Sequence, residues 1–160
     1  MITLKIGDRA PDFELADQKG DKIRLSSFKG KKIILYFYPK DDTSGCTKEA
    51  CDFRDNFAAL KKLNVEVLGI SNDDLESHKS FSSKYNLNFP ILSDADKKVS
   101  KEYGVYEIKQ NYGREYYGIT RSTFLIDENG KIEKIFYKVN PEAHIGEIME
   151  EINKYIFIKR

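Results

Sequence analysis

The stretch Ile33-Ile-Leu-Tyr-Phe-Tyr38-Pro39-Lys-Asp-Asp-Thr-Ser-Gly-Cys46-Thr-Lys-Glu-Ala-Cys51-Asp-Phe53 decides how the chain is read. Its first part, Ile33 to Tyr38, is a continuous apolar and aromatic run closed by Pro39, which predicts a strand buried on both faces. Asp41 to Gly45 reads as a polar loop, with Asp41 and Asp42 as solvated charges. A helix is predicted from about Ser44 to Leu63, because Cys46, Ala50, Phe53, Phe57 and Leu60 recur at spacings of four, three, four and three and so make one stripe facing a sheet.

Working outward, the segments Asp12 to Leu15 and Lys22 to Leu25 predict a small hairpin around Lys19-Gly20. Val65 to Ile70 predicts a second buried strand, and Leu75 to Tyr85 a helix capped by Asp73 or Asp74. A short extended piece around Pro90 to Leu92 leads to a helix from Lys97 to Tyr103. Thr123 to Ile126 and Lys131 to Val139 flank Asn129-Gly130, a strong hairpin signal. Ile145 to Ile156 predicts a closing helix, and the tail from Phe157 to Arg160 reads as its end, with basic residues set against the helix dipole. Strand, helix, strand, helix, hairpin, helix implies an α/β domain with a mixed central sheet flanked by helices.

Composition narrows the function. The 160 residues suit one domain, 1–160, with a sizeable core. Lys and Arg number 27 against 26 Asp and Glu, for a net charge of +1, so no electrostatic case exists for nucleic acid or anionic lipid as a partner. The opening Met1 to Lys5 has no apolar signal region and no apolar run approaches membrane-spanning length, so a cytoplasmic protein is expected. The only cysteines are Cys46 and Cys51. In that compartment a close pair points to redox chemistry before a structural staple. Zinc is not expected, because His78 and His144 are distant in sequence and no second cysteine pair exists. Neither histidine suggests a site.

Cys46 follows a buried strand and falls in the first turn of a predicted helix. Sites in open α/β sheets gather beyond the carboxyl ends of the strands. Backbone N–H groups without intrahelical partners and a partial positive charge are found in a first helical turn, and both favour a thiolate. A buried cysteine acting as a small hydrophobe would be the plainer account.

The residues around it shift the balance. Pro39, Thr43, Cys46 and Cys51 in this segment resemble the active-site signature of the peroxiredoxins, Pro-x-x-x-Thr-x-x-Cys. The second cysteine five residues on is similar to the bacterioferritin comigratory protein group, the Q-type peroxiredoxins. The resemblance extends through Gly-Asp-Arg-Ala-Pro-Asp-Phe, Gly-Ile-Ser-Asn-Asp, Phe-Pro-Ile-Leu-Ser-Asp and Arg-Ser-Thr-Phe-Leu-Ile-Asp-Glu-Asn-Gly. Ser44 stands where proline is common in the group, and as a helix cap it should leave the chemistry intact.

The resemblance implies a thioredoxin-like fold and a thiol-dependent peroxidase acting on hydrogen peroxide and organic hydroperoxides. Cys46 matches the peroxidatic cysteine and Cys51 the resolving cysteine. Thr43 matches the threonine that orients the peroxide, Pro39 the proline that shields the thiolate, and Arg121 the arginine reaching in from a distant strand. It also implies a thioredoxin-like protein as reductant, a monomer, and no cofactor.

Without the resemblance, Arg121 would read as a surface ion pair, Thr43 as a helix cap and Pro39 as a strand end. Arg121 opens a strand predicted to run antiparallel, which would put it at the same sheet edge as Cys46. Glu49, one turn after Cys46, is a candidate to orient Arg121 by a bidentate pair, or simply a first-turn acid complementing the dipole. Arg54 reads as pairing with a nearby acid. The tyrosine-rich stretch Tyr103 to Tyr117 reads as amphipathic packing or as the rim of an entrance. Rival functions are a thioredoxin-type disulfide oxidoreductase, a redox-switched binding module, and a glutathione peroxidase. The first normally places two residues between its cysteines where this chain has four, and the last typically uses a Trp, which this chain lacks.

Five residues along an ideal helix separate two Cα atoms by roughly 8.5 Å, whereas a disulfide needs about 7 Å or less. If both cysteines start in one helix, their union requires that helix to unwind.

Overall fold

The computed structural model describes residues 2–159, with the side chains of 155–159 left aside. The reading of the basic tail therefore lies outside the described residues. Five strands form the central sheet in the order β5-β4-β3-β8-β9. The innermost, β3 (Lys32–Phe37), is buried at all six positions, as its apolar run requires. It pairs in parallel with β4 (Val65–Ser71), which pairs in parallel with β5 (Ile91–Ser93). On its other side it pairs antiparallel with β8 (Ser122–Ile126), which hairpins into β9 (Ile132–Tyr137).

The pleat of β3 divides the core. Ile33, Leu35 and Phe37 pack on one face with Tyr103, Phe124 and the N-terminal segment around Phe13. Ile34 and Tyr36, with Tyr38 just beyond, pack on the other. The latter face is covered by α1 (Ser44–Lys62), by Phe81 of α2 (Leu75–Tyr85), and by Ile148 and Ile152 of α4 (His144–Lys159). The α1 stripe is as expected: Cys46, Ala50, Phe53 and Leu60 are buried, and Phe57 is partly so. Gly69 of β4 is where the Tyr36 ring lies against the sheet, since a Cβ there would stand 2.9 Å from the ring.

The small N-terminal hairpin forms between β1 (Glu14–Ala16) and β2 (Lys22–Arg24). Asp74 is the α2 cap, accepting from Ser77 N–H. The helix expected at Lys97 to Tyr103 is the shorter α3 (Lys98–Glu102). One element has no counterpart in the sequence reading. The tyrosine-rich stretch forms a hairpin of β6 (Tyr106–Asn111) and β7 (Arg114–Ile119), turned at Tyr112 and Gly113, both at positive φ. Tyr103 packs in the core while Tyr112, Tyr116 and Tyr117 are exposed, so the stretch is not one packed face.

Candidate active site

The site is assembled where β3, α1 and β8 meet. β3 runs out toward Tyr38, and β8 starts beside that end because it is antiparallel, with Ser122 opposite Phe37. Arg121, immediately before β8, thus arrives at the N-terminus of α1. Its Nη2 donates to Cys46 Sγ at 3.3 Å and its Nη1 to Glu49 Oε1 at 2.8 Å. The guanidinium divides its donors between sulfur and carboxylate, so the bidentate pair considered for Glu49 does not form and Glu49 Oε2 is left buried without a partner. Gly45 permits this approach: a Cβ there would lie 3.0 Å from Arg121 Nη2 and 3.2 Å from Pro141 Cγ.

Cys46 is the third residue of α1, and the first intrahelical bond runs from Thr47 N–H to the Thr43 carbonyl. The N–H groups before it, that of Cys46 included, have no intrahelical acceptor. The sulfur therefore sits on the positive end of the helix and against a guanidinium, with 1% of the residue exposed. Thr43 occupies the cap position, yet its hydroxyl donates to the Lys40 carbonyl at 2.9 Å and does not cap, nor does Ser44, which is already helical. Thr43 stays exposed and Pro39 half-buried in the loop that delivers Cys46. Cys51 is half-buried farther along α1, and both thiols are free.

Two expectations are corrected here. Asp41 is not a solvated loop charge: it is buried, accepting from Tyr38 Oη at 2.6 Å, from Ser77 Oγ at 2.8 Å and facing His78 Nδ1 at 2.7 Å. Its backbone N–H reaches Asp73 Oδ2. His78, which suggested no site, thus clasps the active-site loop to α2. Burial opposes the imidazolium, but the hydrogen bond and charge of Asp41 carry its pKa upward. Asp42, by contrast, is exposed and meets Lys84 and Tyr85. Arg54 pairs with Asp55 and also donates to the Tyr85 carbonyl.

Burial dominates the titration of the interior groups. Glu49 is raised to about 7 by burial, against the charge and hydrogen bond of Arg121. Arg121 keeps its proton more firmly than usual: Glu49 and Cys46 outweigh its burial. His144, buried with Nε2 at 2.7 Å from Thr123 Oγ1, is held down to about 4 by burial and by Arg121. Lys109 of β6 is lowered by burial and by Arg121. Nothing in the sequence singled out His144 or Lys109.

Residues 6–135 match the AhpC/TSA family. The chain is 50% identical over 148 residues to a putative peroxiredoxin bcp of Coxiella burnetii, covering 92% of this chain and 98% of the relative. It is a peroxiredoxin of the AhpC/TSA family. A second relative, peroxiredoxin Bcp of Bacillus subtilis, is 45% identical over 94% of this chain and 96% of its own length. Among solved structures, a cysteine-to-serine variant of Xylella fastidiosa PrxQ superposes with a TM-score of 0.92 at 31% identity, covering 98% of this peroxiredoxin and 99% of that chain. The bacterioferritin comigratory protein of Xanthomonas campestris, whose structure is described in terms of alkyl peroxide reduction, gives 0.87 at 31% identity over 97% and 99%. This peroxiredoxin therefore has the thioredoxin-like fold and is a thiol-dependent peroxidase, with a hydroperoxide as substrate and a thioredoxin-type reductant in general. The disulfide oxidoreductase and glutathione peroxidase readings give way to that assignment. No helix among the described residues is long and apolar enough to cross a membrane.

Proposed function

We propose that Cys46 is the attacking thiolate and Cys51 the resolving thiol of a peroxidase cycle carried out by residues 1–160 as one domain. The thiolate attacks the terminal oxygen of R–O–OH, the O–O bond breaks, and the departing alkoxide or hydroxide takes a proton to leave as alcohol or water. Cys46 is then a sulfenic acid. The Cys51 thiolate attacks that sulfur, hydroxide leaves and is protonated to water, and a Cys46–Cys51 disulfide results. A thioredoxin-like dithiol protein reduces it by thiol–disulfide exchange and is itself oxidised.

The observation that carries this reading is the single guanidinium of Arg121 held at 3.3 Å from Cys46 Sγ at the open end of α1. Negative charge passes from sulfur to the leaving oxygen, and donors fixed there before reaction lower the barrier. Thr43 lies three residues before Cys46, where its hydroxyl can turn from the Lys40 carbonyl to a bound peroxide. Pro39, lacking an N–H, shields the approach to the sulfur. The substrates are hydrogen peroxide and organic hydroperoxides, the protein acts as a monomer, and its place is the cytoplasm.

The reading is tested by following consumption of hydrogen peroxide and of an alkyl hydroperoxide with a thioredoxin-like reductant or with glutathione, beside insulin reduction. Peroxide turnover that depends on the dithiol protein, with insulin left intact, is expected. Insulin reduction without peroxide consumption would reinstate the disulfide oxidoreductase. Sedimentation at micromolar concentration reads the oligomeric state.

A further inference from the structure

Among the described residues, three buried side-chain polar atoms have no hydrogen-bond partner: Tyr36 Oη, Glu49 Oε2 and His144 Nδ1. Native interiors leave few such atoms, and each calls for an explanation. All three belong to residues around the Cys46 end of α1. The Tyr36 hydroxyl lies in the fields of Glu49, Cys46 and Arg121, and His144 lies in that of Arg121. Of the three, Glu49 stands between Cys46 and Cys51 in the chain, on the segment whose unwinding the disulfide requires.

Two acids share one cation here. Cys46 Sγ and Glu49 Oε1 each receive one N–H from Arg121, and among the described residues no other donor reaches either Glu49 oxygen. The peroxide reaction needs sulfur in its thiolate form. A second full negative charge on a carboxylate that is 1% exposed, with one oxygen unsolvated, is a costly arrangement that a proton relieves. We propose that Glu49 carries a proton while α1 is folded around Cys46 and gives it up when the Cys46–Cys51 segment unwinds, so that the peroxide-reactive and disulfide forms differ by one proton at this residue. This rests on the resolving role of Cys51 given above.

The titratable groups around Glu49, Arg121 and Cys46, from each element that brings one there, support it. Tyr36 comes from β3 and is kept protonated by burial. His144 comes from α4 and stays neutral near pH 7, being held down to about 4. Cys46 and Asp52 share α1 with Glu49, and the charge of Asp52 adds to the upward push of burial. Arg121, just before β8, is the one cation in contact with Glu49 among the described residues, and its second donor is committed to sulfur. Lys109, on β6, lies in the fields of Arg121 and Cys46. With Glu49 neutral, the charge of Arg121 remains available to the thiolate and to the departing oxygen. Glu49 thus acts through Arg121, as a positioning residue. Once unwound into water, it returns toward the ordinary carboxyl range.

The folded value, about 7, lies above the ordinary 4.5, so the folded helix binds this proton more tightly than the unwound one. Its advantage is complete below pH 4.5, falls as pH rises, and is gone above about 7. The two values differ by a factor of roughly 300 in the folding equilibrium of the segment.

The test is a proton count. At about pH 6 in dilute buffer with an indicator dye, one equivalent of hydrogen peroxide converts the reduced protein to its disulfide. The parent should release close to one proton more per disulfide than Glu49→Gln, whose amide mimics the neutral acid. Equal counts would overturn the inference. Consumption of peroxide with no internal disulfide in the parent would overturn the resolving role of Cys51, and this inference with it. Should Glu49→Gln fail to fold, the parent alone still decides: with isotope-labelled glutamate, the reduced-minus-disulfide infrared difference should show one neutral carboxyl lost on oxidation. Absence of that band would contradict the proposal.

Discussion

Arg121→Ala tests the attack step of this peroxiredoxin and the titration of Glu49 together. The Arg121 side chain is 13% exposed, and among the described residues its guanidinium serves Cys46 Sγ and Glu49 Oε1. Losing one preorganised donor to a developing charge costs roughly 100- to 1,000-fold in rate. The oxidation of Cys46 by hydrogen peroxide should slow by at least about 100-fold. The stability cost depends on pH. At pH 6 Glu49 already holds its proton, so its carboxyl loses only a hydrogen bond, about 1 kcal/mol, beside the loss of the contact to Cys46 Sγ. Above about 7 the parent's Glu49 is ionised and paired, whereas the variant must keep it protonated, which adds roughly 1.4 kcal/mol per pH unit. The assays are rapid-quench oxidation kinetics and denaturant unfolding at pH 6 and 8. Oxidation at the parental rate would reduce Arg121 to a structural ion pair, and a pH-independent stability loss would contradict the titration of Glu49.

Three further outcomes are expected. Amide exchange across Thr47 to Phe53 should speed up in the disulfide form while Ile33 to Tyr38 stays protected; equal protection in both forms would argue for an intermolecular disulfide instead. Gly69→Ala drives a Cβ to 2.9 Å from the Tyr36 ring, so unfolding should show a loss of about 1–3 kcal/mol, and an unchanged melting temperature would show that the ring can yield. His144 is held down to about 4, below its unfolded 6.5, so its contribution is present above pH 6.5 and lost as pH falls toward 4, by about 3 kcal/mol. His144→Gln should flatten this acid lability in thermal unfolding, and a profile identical to the parent's would place the lability elsewhere.

What the sequence revealed and what it hid have physical reasons. The run Ile33 to Tyr38 and the α1 stripe were legible because a strand buried on both faces and a helix packed on one leave strong apolar patterns. The Asn129-Gly130 signal gave the β8–β9 hairpin; it is the antiparallel pairing of β8 with β3 that brings Arg121 to Cys46 from 75 residues away. Asp41 was misread because its partners Ser77 and His78 come from α2, and a loop aspartate carries no mark of what will cover it. The β6–β7 hairpin was missed because its exposed tyrosines supply no apolar alternation, although Asn111-Tyr-Gly113 marks its turn. Glu49 meets Arg121, but through one oxygen rather than the bidentate pair considered; that its second oxygen stands alone depends on how one guanidinium divides its donors, which no spacing records.

Under the proposed cycle the peroxide meets the sulfur of Cys46. One measurement tests this most directly: Cys51→Ser and Cys46→Ser, each reduced and exposed to one equivalent of hydrogen peroxide, are trapped with a sulfenic-acid probe and the modified residue is located by mass spectrometry. Cys51→Ser should carry the probe at Cys46 in near-stoichiometric yield, and Cys46→Ser should carry none. Rapid probe capture at Cys51 in Cys46→Ser, with Cys46 unmodified in the other variant, would contradict the account.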